Sequence, residues 1–312
     1  MDTIINWTDH LLFICFSLYT FYLFILALLS HAGRKRQYPP IEKKQSFAII
    51  IPTQTSFPAQ EYPEDLYKVF NCDDFRELVP TLDEKTFDIT LILSGTDNIQ
   101  KNLLKSINKA CISNSIAIQL QTQIKNFSTF KLKCQALREE INNSLYIKGY
   151  SQIGFSATFT GHDIALNTKW LKKNLKSNHT NLERMLLRQG IYVDAIDNEP
   201  IGKPLPQKPL YKTNRKKAFS LLGYAFGSNG SIDYRTKMIH CILPTPYFSA
   251  IAIAVCTTLV TVYNWREAIS WWILLFGILL TLSLAIPDYL VKDKKITFKK
   301  IIHHEHQSER EN

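Results

Sequence analysis

No charged residue interrupts residues 11–30, 247–264 or 268–287 of this chain. Cysteine is sparse: the six residues are scattered and no Cys-x-x-Cys pair occurs. That excludes a disulfide framework and a structural zinc site, so free thiols are expected. The phosphate-loop pattern G-x-x-x-x-G-K-S/T is absent, as are the hydrolase elbow G-x-S-x-G and the zinc pattern H-E-x-x-H. Acidic residues are outnumbered, 27 against 37 Lys and Arg, for a net charge of +10. The basic residues concentrate beside the apolar stretches and in residues 203–217, which suits attraction to anionic lipid heads. No motif for nucleic acid accompanies them. The run His303-His304-Glu305-His306 lies in a charged terminal tail and reads as disordered rather than metal-binding.

What the chain does have is apolar length at its ends. At about 1.5 Å per residue, roughly 20 apolar residues cross the ~30 Å hydrocarbon core of a bilayer. Arg34, Lys35 and Arg36 follow the first stretch, and Lys292, Lys294, Lys295, Lys299 and Lys300 follow the third. Positive flanks stay cytoplasmic. The N-terminus is then outside, residues 33–246 inside, a short turn at Trp265-Arg266-Glu267 outside, and the tail inside. Residues 1–10 carry Asp2 and Asp9 and no Lys or Arg, so the first stretch reads as an uncleaved anchor rather than a signal peptide. Thr257, Thr258 and Thr261 make the second stretch the weakest, but their hydroxyls can bond back to helix carbonyls. The expected organisation is an anchor (1–32), a cytoplasmic α/β domain (33–246), a helix pair (247–290) and a basic, polar tail (291–312).

Between the ends, strand and helix patterns alternate. Residues 46–51 and 87–93 are continuous apolar runs typical of buried parallel strands, and 116–120, 156–160 and 191–196 read as further strands. Residues 102–110 and 132–146 show helical spacing, as do 181–189, with Leu182, Met185 and Leu186 inward and Gly190 as the C′ stop. This predicts an α/β domain with a mostly parallel sheet, whose ligands sit beyond the carboxyl ends of strands, at 94–98.

The order of these pieces resembles a membrane-embedded family 2 glycosyltransferase of the polysaccharide-synthase type, over almost the whole chain. FAIIIPTQ is similar to the family's first strand, and QEYPEDLY to its step into the second strand. FDITLILSGTDN looks like the strand ending in its D-x-D-N metal motif, and GFSATFTGHDIALNTKWL like its acceptor-side segment. EEINN looks like the helix before that segment, and LERMLLRQGIYVDAIDNEPIG like the helix and strand after the catalytic acid. TNRKKAF stands where the family carries QxxRW.

The resemblance implies a nucleotide sugar, UDP-linked, a Mg2+ or Mn2+ ion, and a glycan or lipid-linked acceptor at the bilayer. Asp73 and Asp74 match the family's uracil-contacting turn, and Asp97 its second metal carboxylate. As plain structure, Asp97 and Asp74 also suit helix caps. His179 falls at the base position. Glu183, one turn on, is a substitute base or a solvent-facing residue. Gly161, Asn214, Arg215 and Lys217 fall on the acceptor side. Departures are many: Gly95 replaces the first metal carboxylate, Ala218 the Trp, and Lys217 the Arg with its planar fork. The segment 53–86 is also short for a nucleotide-binding region. Weak or lost transferase activity is therefore expected. The alternative is an inactive partner or scaffold for other polysaccharide-assembly proteins. A transporter is disfavoured, since uncharged spans offer no ion path.

A reporter fused after Asn312 should report cytoplasm and one inserted near Arg266 the outside. A cytoplasmic signal at Arg266 would show that the C-terminal pair does not cross.

Overall fold

The computed structural model describes residues 2–32, 43–53, 55–94, 99–112, 115–124, 130–159, 163–175, 182–203 and 232–286. In chain order, helix α1 (Asp2–His31) precedes β1 (Phe47–Ile51), β2 (Tyr67–Asn71), α2 (Phe75–Leu78) and β3 (Ile89–Ile92). Next come α3 (Leu103–Ile112), β4 (Ala117–Ile124) and α4 (Phe130–Asn142). A π-helical stretch, Asn143–Gly149, and a last turn, α5 (Tyr150–Gln152), continue α4. Then follow β5 (Ile164–Asn167), α6 (Thr168–Asn174), α7 (Leu182–Arg188) and β6 (Val193–Lys203). The chain closes with α8 (Ile232–Ile242), α9 (Pro246–Tyr263) and α10 (Trp265–Leu284). Two compact units result: one gathers α1, α9, α10 and residues 140–145, the other the sheet and the remaining helices.

The sheet unit is mixed α/β. Its six strands run in the order β2-β1-β3-β5-β4-β6. β1 is parallel to β2 and β3, and β4 is parallel to β6. β5 is antiparallel to both neighbours, β3 and β4. β1 (FAIII) ends in three β-branched residues and is buried throughout, as a strand covered on both faces must be. Its odd residues Phe47, Ile49 and Ile51 pack with Leu103, Leu104 and Ile107 of α3. Its even residues Ala48 and Ile50 pack on the other face with Leu171 of α6 and with Leu182 and Leu186 of α7. Where a hydroxyl enters that second face it is paired: Thr90 and Thr168 hydroxyls lie 2.9 Å apart. Gly190, at φ 65°, closes α7 in the left-handed conformation its C′ place requires.

Several sequence expectations shift. Ser156–Phe159, read as strand, joins no ladder; the strand of that region is β5, eight residues later and antiparallel. The helix read over 132–146 changes to π-helical winding at Asn143. β6 runs past 196 because Pro200 sits in an irregularity, between the pairs Leu120↔Ile196 and Thr122↔Ile201, where no ladder N–H is needed. Trp265, Arg266 and Glu267 are not a turn but the first turn of α10, capped by the Asn264 side chain accepting from the Arg266 N–H at 3.3 Å.

In the other unit, α1, α9 and α10 contain segments long and apolar enough to cross a membrane: Trp7–His31, Pro246–Tyr263 and Trp265–Leu284. Trp271 is the largest side chain buried there. Phe13 and Phe16 meet its ring edge-on at 5.5 and 6.3 Å, and its indole N–H donates to Asp9 Oδ1 at 3.1 Å. The threonines of α9 bond back as the sequence allows: Thr257 to Ile253 O at 2.7 Å, Thr258 to Ala254 O at 2.9 Å and Thr261 to Thr257 O at 2.6 Å. Cys15, Cys72, Cys111, Cys134 and Cys256 are free thiols.

Candidate functional site

The carboxyl ends of β1, β2 and β3 face one edge of the sheet, since the three strands are parallel. Two carboxylates are built into that edge. Asp73, just past β2, accepts the Thr53 N–H at 3.0 Å, tying the ends of β1 and β2 together. That backbone hydrogen bond, with the Thr53 side chain, holds the Asp73 carboxyl below the ordinary range. Asp74 accepts the Arg76 N–H at 3.0 Å and so caps α2. The second edge carboxylate is Asp163, which sequence reasoning passed over. It is fully buried at φ 54°, a conformation that non-glycine residues adopt sparingly. Its Oδ1 accepts the Ser94 N–H at 2.9 Å, and the Ser94 hydroxyl reaches both carboxylate oxygens at 2.8 Å. Its own carbonyl accepts the Leu120 N–H at 2.8 Å, so the next strand is in place as well.

A second polar cluster holds the segment Ser156–Phe159. Two of its four amides go to side-chain carboxylates and two to main-chain carbonyls. Ser156 N–H donates to Asp233 Oδ1 at 3.1 Å, and Ala157 N–H to Val193 O at 2.9 Å. Thr158 N–H donates to Tyr146 O at 3.1 Å, and Phe159 N–H to Glu183 Oε1 at 3.2 Å. Asp233 Oδ2 also accepts the Ser156 hydroxyl at 2.8 Å, and that hydroxyl's oxygen accepts the Val193 N–H at 3.1 Å. Side chains of α7 and α8, with the carbonyls of Val193 and Tyr146, thus satisfy the amides that a strand ladder would, and the extended, apolar-looking segment forms no strand.

Glu183 is drawn inward by this role and does not sit free in solvent; 20% of its side chain stays exposed. Withdrawal from water pushes its carboxyl up, against the pull of Lys237 and of the Phe159 N–H. Lys237 Nζ lies 3.9 Å from Glu183 Oε1, donates to Thr158 Oγ1 at 2.6 Å and stands 4.9 Å above the Tyr150 ring. Among the described residues nothing hydrogen-bonds Glu183 Oε2. His240, packed 4.0 Å from the Tyr146 ring, is driven down to about 3 by burial and by the Lys237 charge, so it is neutral at physiological pH. Asp233, Lys237 and His240 follow one another at i, i+4 and i+7, a helical face legible in principle from the sequence.

Of the residues singled out by sequence, Asp73, Asp74 and Glu183 are placed as above. His179, Asp97, Gly95, Gly161, Asn214, Arg215, Lys217 and Ala218 lie outside the described residues. Among the described residues no group of three or more His, Cys, Asp or Glu could hold a metal ion by itself.

No protein-family description matches the sequence, and no curated protein matches it. Among solved structures, the chain is similar to a mannosyltransferase from Pyrobaculum calidifontis in complex with GDP-Man and Mn2+. The identity is 11%, the match covers 89% of this chain and 97% of that one, and the TM-score is 0.48. A likeness at that TM-score assigns no residue of this chain a role.

The raised Glu183 carboxyl has a consequence for stability. A carboxyl that holds its proton more tightly when folded favours folding below its unfolded value of 4.5 and loses that contribution as pH rises through the folded value. Thermal unfolding of the purified chain from acid to neutral pH should therefore decline more steeply for wild type than for Glu183→Gln. The variant's overall level drops, because Lys237 loses its counter-charge; the slope is the readout, and parallel slopes would contradict the assignment.

Proposed function

We propose that this chain is a membrane-anchored, family 2 glycosyltransferase-like protein that works in polysaccharide or glycan assembly with a UDP-linked sugar. In this reading the sheet unit and C-terminus are cytoplasmic and the N-terminus is outside, at a plasma or inner membrane. The sugar passes to a glycan or lipid-linked acceptor at the bilayer face. The observation that carries the proposal is Glu183. One of its oxygens is fixed by the Phe159 N–H, the side chain is partly exposed, and burial raises its carboxyl. A carboxylate tuned upward in this way is suited to take a proton from an acceptor hydroxyl near neutral pH. It does so beside the segment that leads to Gly161, the acceptor-side position of the sequence resemblance.

The donor would lie at the carboxyl edge of β1–β3, where Asp73 and Asp163 are held by Thr53 and Ser94. A divalent ion there, Mg2+ or Mn2+, would rest on Asp97 with substrate phosphates and water, as magnesium commonly does, and would offset the charge of the diphosphate. His179 remains the alternative base. Arg215 and Lys217 would bring positive charge to the acceptor side, with Asn214 beside them as a neutral hydrogen-bonding group.

A second reading follows from Gly95 and Ala218. With one metal carboxylate and the aromatic platform missing, the chain can serve as an inactive partner of a polysaccharide-synthesis complex. Losing a general base costs about 10²–10⁴ in rate and losing a key electrostatic contact about 10²–10³, so transfer by the isolated chain is expected to be weak or lost.

Binding separates the readings. Purified protein should bind uridine diphosphate in the presence of Mg2+ or Mn2+, and Asp97→Asn should weaken that binding about tenfold or more, since a charge-assisted contact is worth roughly 1.5–3 kcal/mol. No binding by wild type at millimolar ligand ends the donor-site proposal and leaves the scaffold.

A further inference from the structure

A buried ammonium needs a counter-charge and hydrogen-bond acceptors, or it is strongly destabilising. Lys237, with 5% of its side chain exposed, has an anion, a neutral acceptor and an aromatic face, each from a different segment. The anion is Glu183 of α7, the acceptor is Thr158 Oγ1, and the face is the Tyr150 ring. Glu183 and Thr158 are also the two points where the backbone of 158–159 is fixed: Phe159 N–H goes to Glu183, while Thr158 N–H and hydroxyl both reach Tyr146 O at 3.1 Å.

We propose that Lys237 is a positioning residue for Glu183: from α8 it holds the carboxylate and Thr158 together, and supplies the counter-charge that fixes Glu183 beside the acceptor-side segment. The inference rests on Glu183 as the proton-accepting group of the proposed function, and deepens it by adding a helix that the sequence motifs did not include.

The groups around the carboxyl support this assignment. Lys237 is the charged group of α8 that faces Glu183, and the Phe159 N–H faces it from the extended segment. His240, one turn beyond Lys237, is neutral and contributes no competing charge. Asp233, one turn before, is occupied by Ser156. Removing the Lys237 charge therefore leaves burial unopposed by any cation of α8, and Glu183 holds its proton to higher pH.

The test reads Glu183 directly on the full chain in detergent. A hydrophobic carbodiimide adds to protonated carboxyls, and peptide mass spectrometry follows labelling of Glu183 against pH, with exposed Glu61 and Glu64 as internal controls. Lys237→Gln keeps a donor for Thr158 but removes the charge. It should move the Glu183 profile to higher pH and raise labelling at neutral pH about threefold or more, within what one opposite charge at this range does. Lys237→Arg should restore the wild-type profile, which loosened packing alone would not do. Thr158→Val, a milder change, takes the hydroxyl away from the ammonium, which then leans further on Glu183, and should shift labelling the opposite way. A Lys237→Gln profile that superimposes on wild type overturns the proposal. Should that variant fail to fold, an unchanged Thr158→Val profile overturns it instead. Sugar transfer that survives Glu183→Gln would sink the base reading alone, while the labelling result would still stand for the Lys237–Glu183 pair.

Discussion

The backbone from Ser156 to Phe159 joins no ladder and touches β6 only at that strand's first residue, Val193, yet each of its amides must still find a partner. Two of the four amides bond carboxylates, Asp233 and Glu183, and these charge-assisted bonds are the stronger kind. Much of the unit's polar arrangement follows. Glu183 turns inward to reach the Phe159 N–H, and in doing so leaves water. Lys237 must then follow it inward to supply charge, and α8 must lie where Lys237 and Asp233 both reach the segment. His240 comes with them and remains neutral, because it is buried and an ammonium is already present. The π-helical winding at Asn143–Gly149 belongs to the same constraint, since Tyr146 gives the carbonyl that accepts from Thr158 and Tyr150 gives the aromatic face over Lys237.

The sheet topology explains the buried carboxylate of Asp163. A parallel neighbour of β3 would bring its end to the edge where β3 ends. β5 is antiparallel, so it brings its beginning. Asp163, the residue before β5, therefore lands beside Ser94, the second residue after β3, and its left-handed backbone turns the carboxylate onto the Ser94 N–H. The strain is offset by the Ser94 N–H, by the Ser94 hydroxyl shared between both carboxylate oxygens, and by the Leu120 bond to its carbonyl.

Much of the fold was legible because burial imposes simple patterns. β1 and β3 are buried on both faces and, Thr90 apart, apolar, as strands covered by helices on both sides tend to be, and their runs stand out. Residues 11–30 stand out for the same reason. Gly190 marks the end of α7 because few other residues adopt its backbone. What was hidden depends on pairing between distant residues. β5 is short and reads as part of a polar loop, because GHD precedes it and Asn167, the α6 cap, ends it. Segment 156–159 carries strand-like residues, but its partners are the side chains of residues 183 and 233 and the carbonyls of residues 146 and 193, which no local pattern connects to it. The same holds for Glu183: an acidic residue at the start of a helix usually favours solvent and the helix dipole, and here a backbone amide 24 residues away decides otherwise.

Amide hydrogen exchange on the full chain, read at Ser156, Ala157, Thr158 and Phe159, probes this constraint most directly. If the four amides are held by Asp233, Val193, Tyr146 and Glu183, they should exchange as slowly as those of β1, although the segment forms no ladder. Exchange as fast as that of the exposed turn at residues 84–86 would show that the segment is not held, and that Glu183 has no structural reason to be buried.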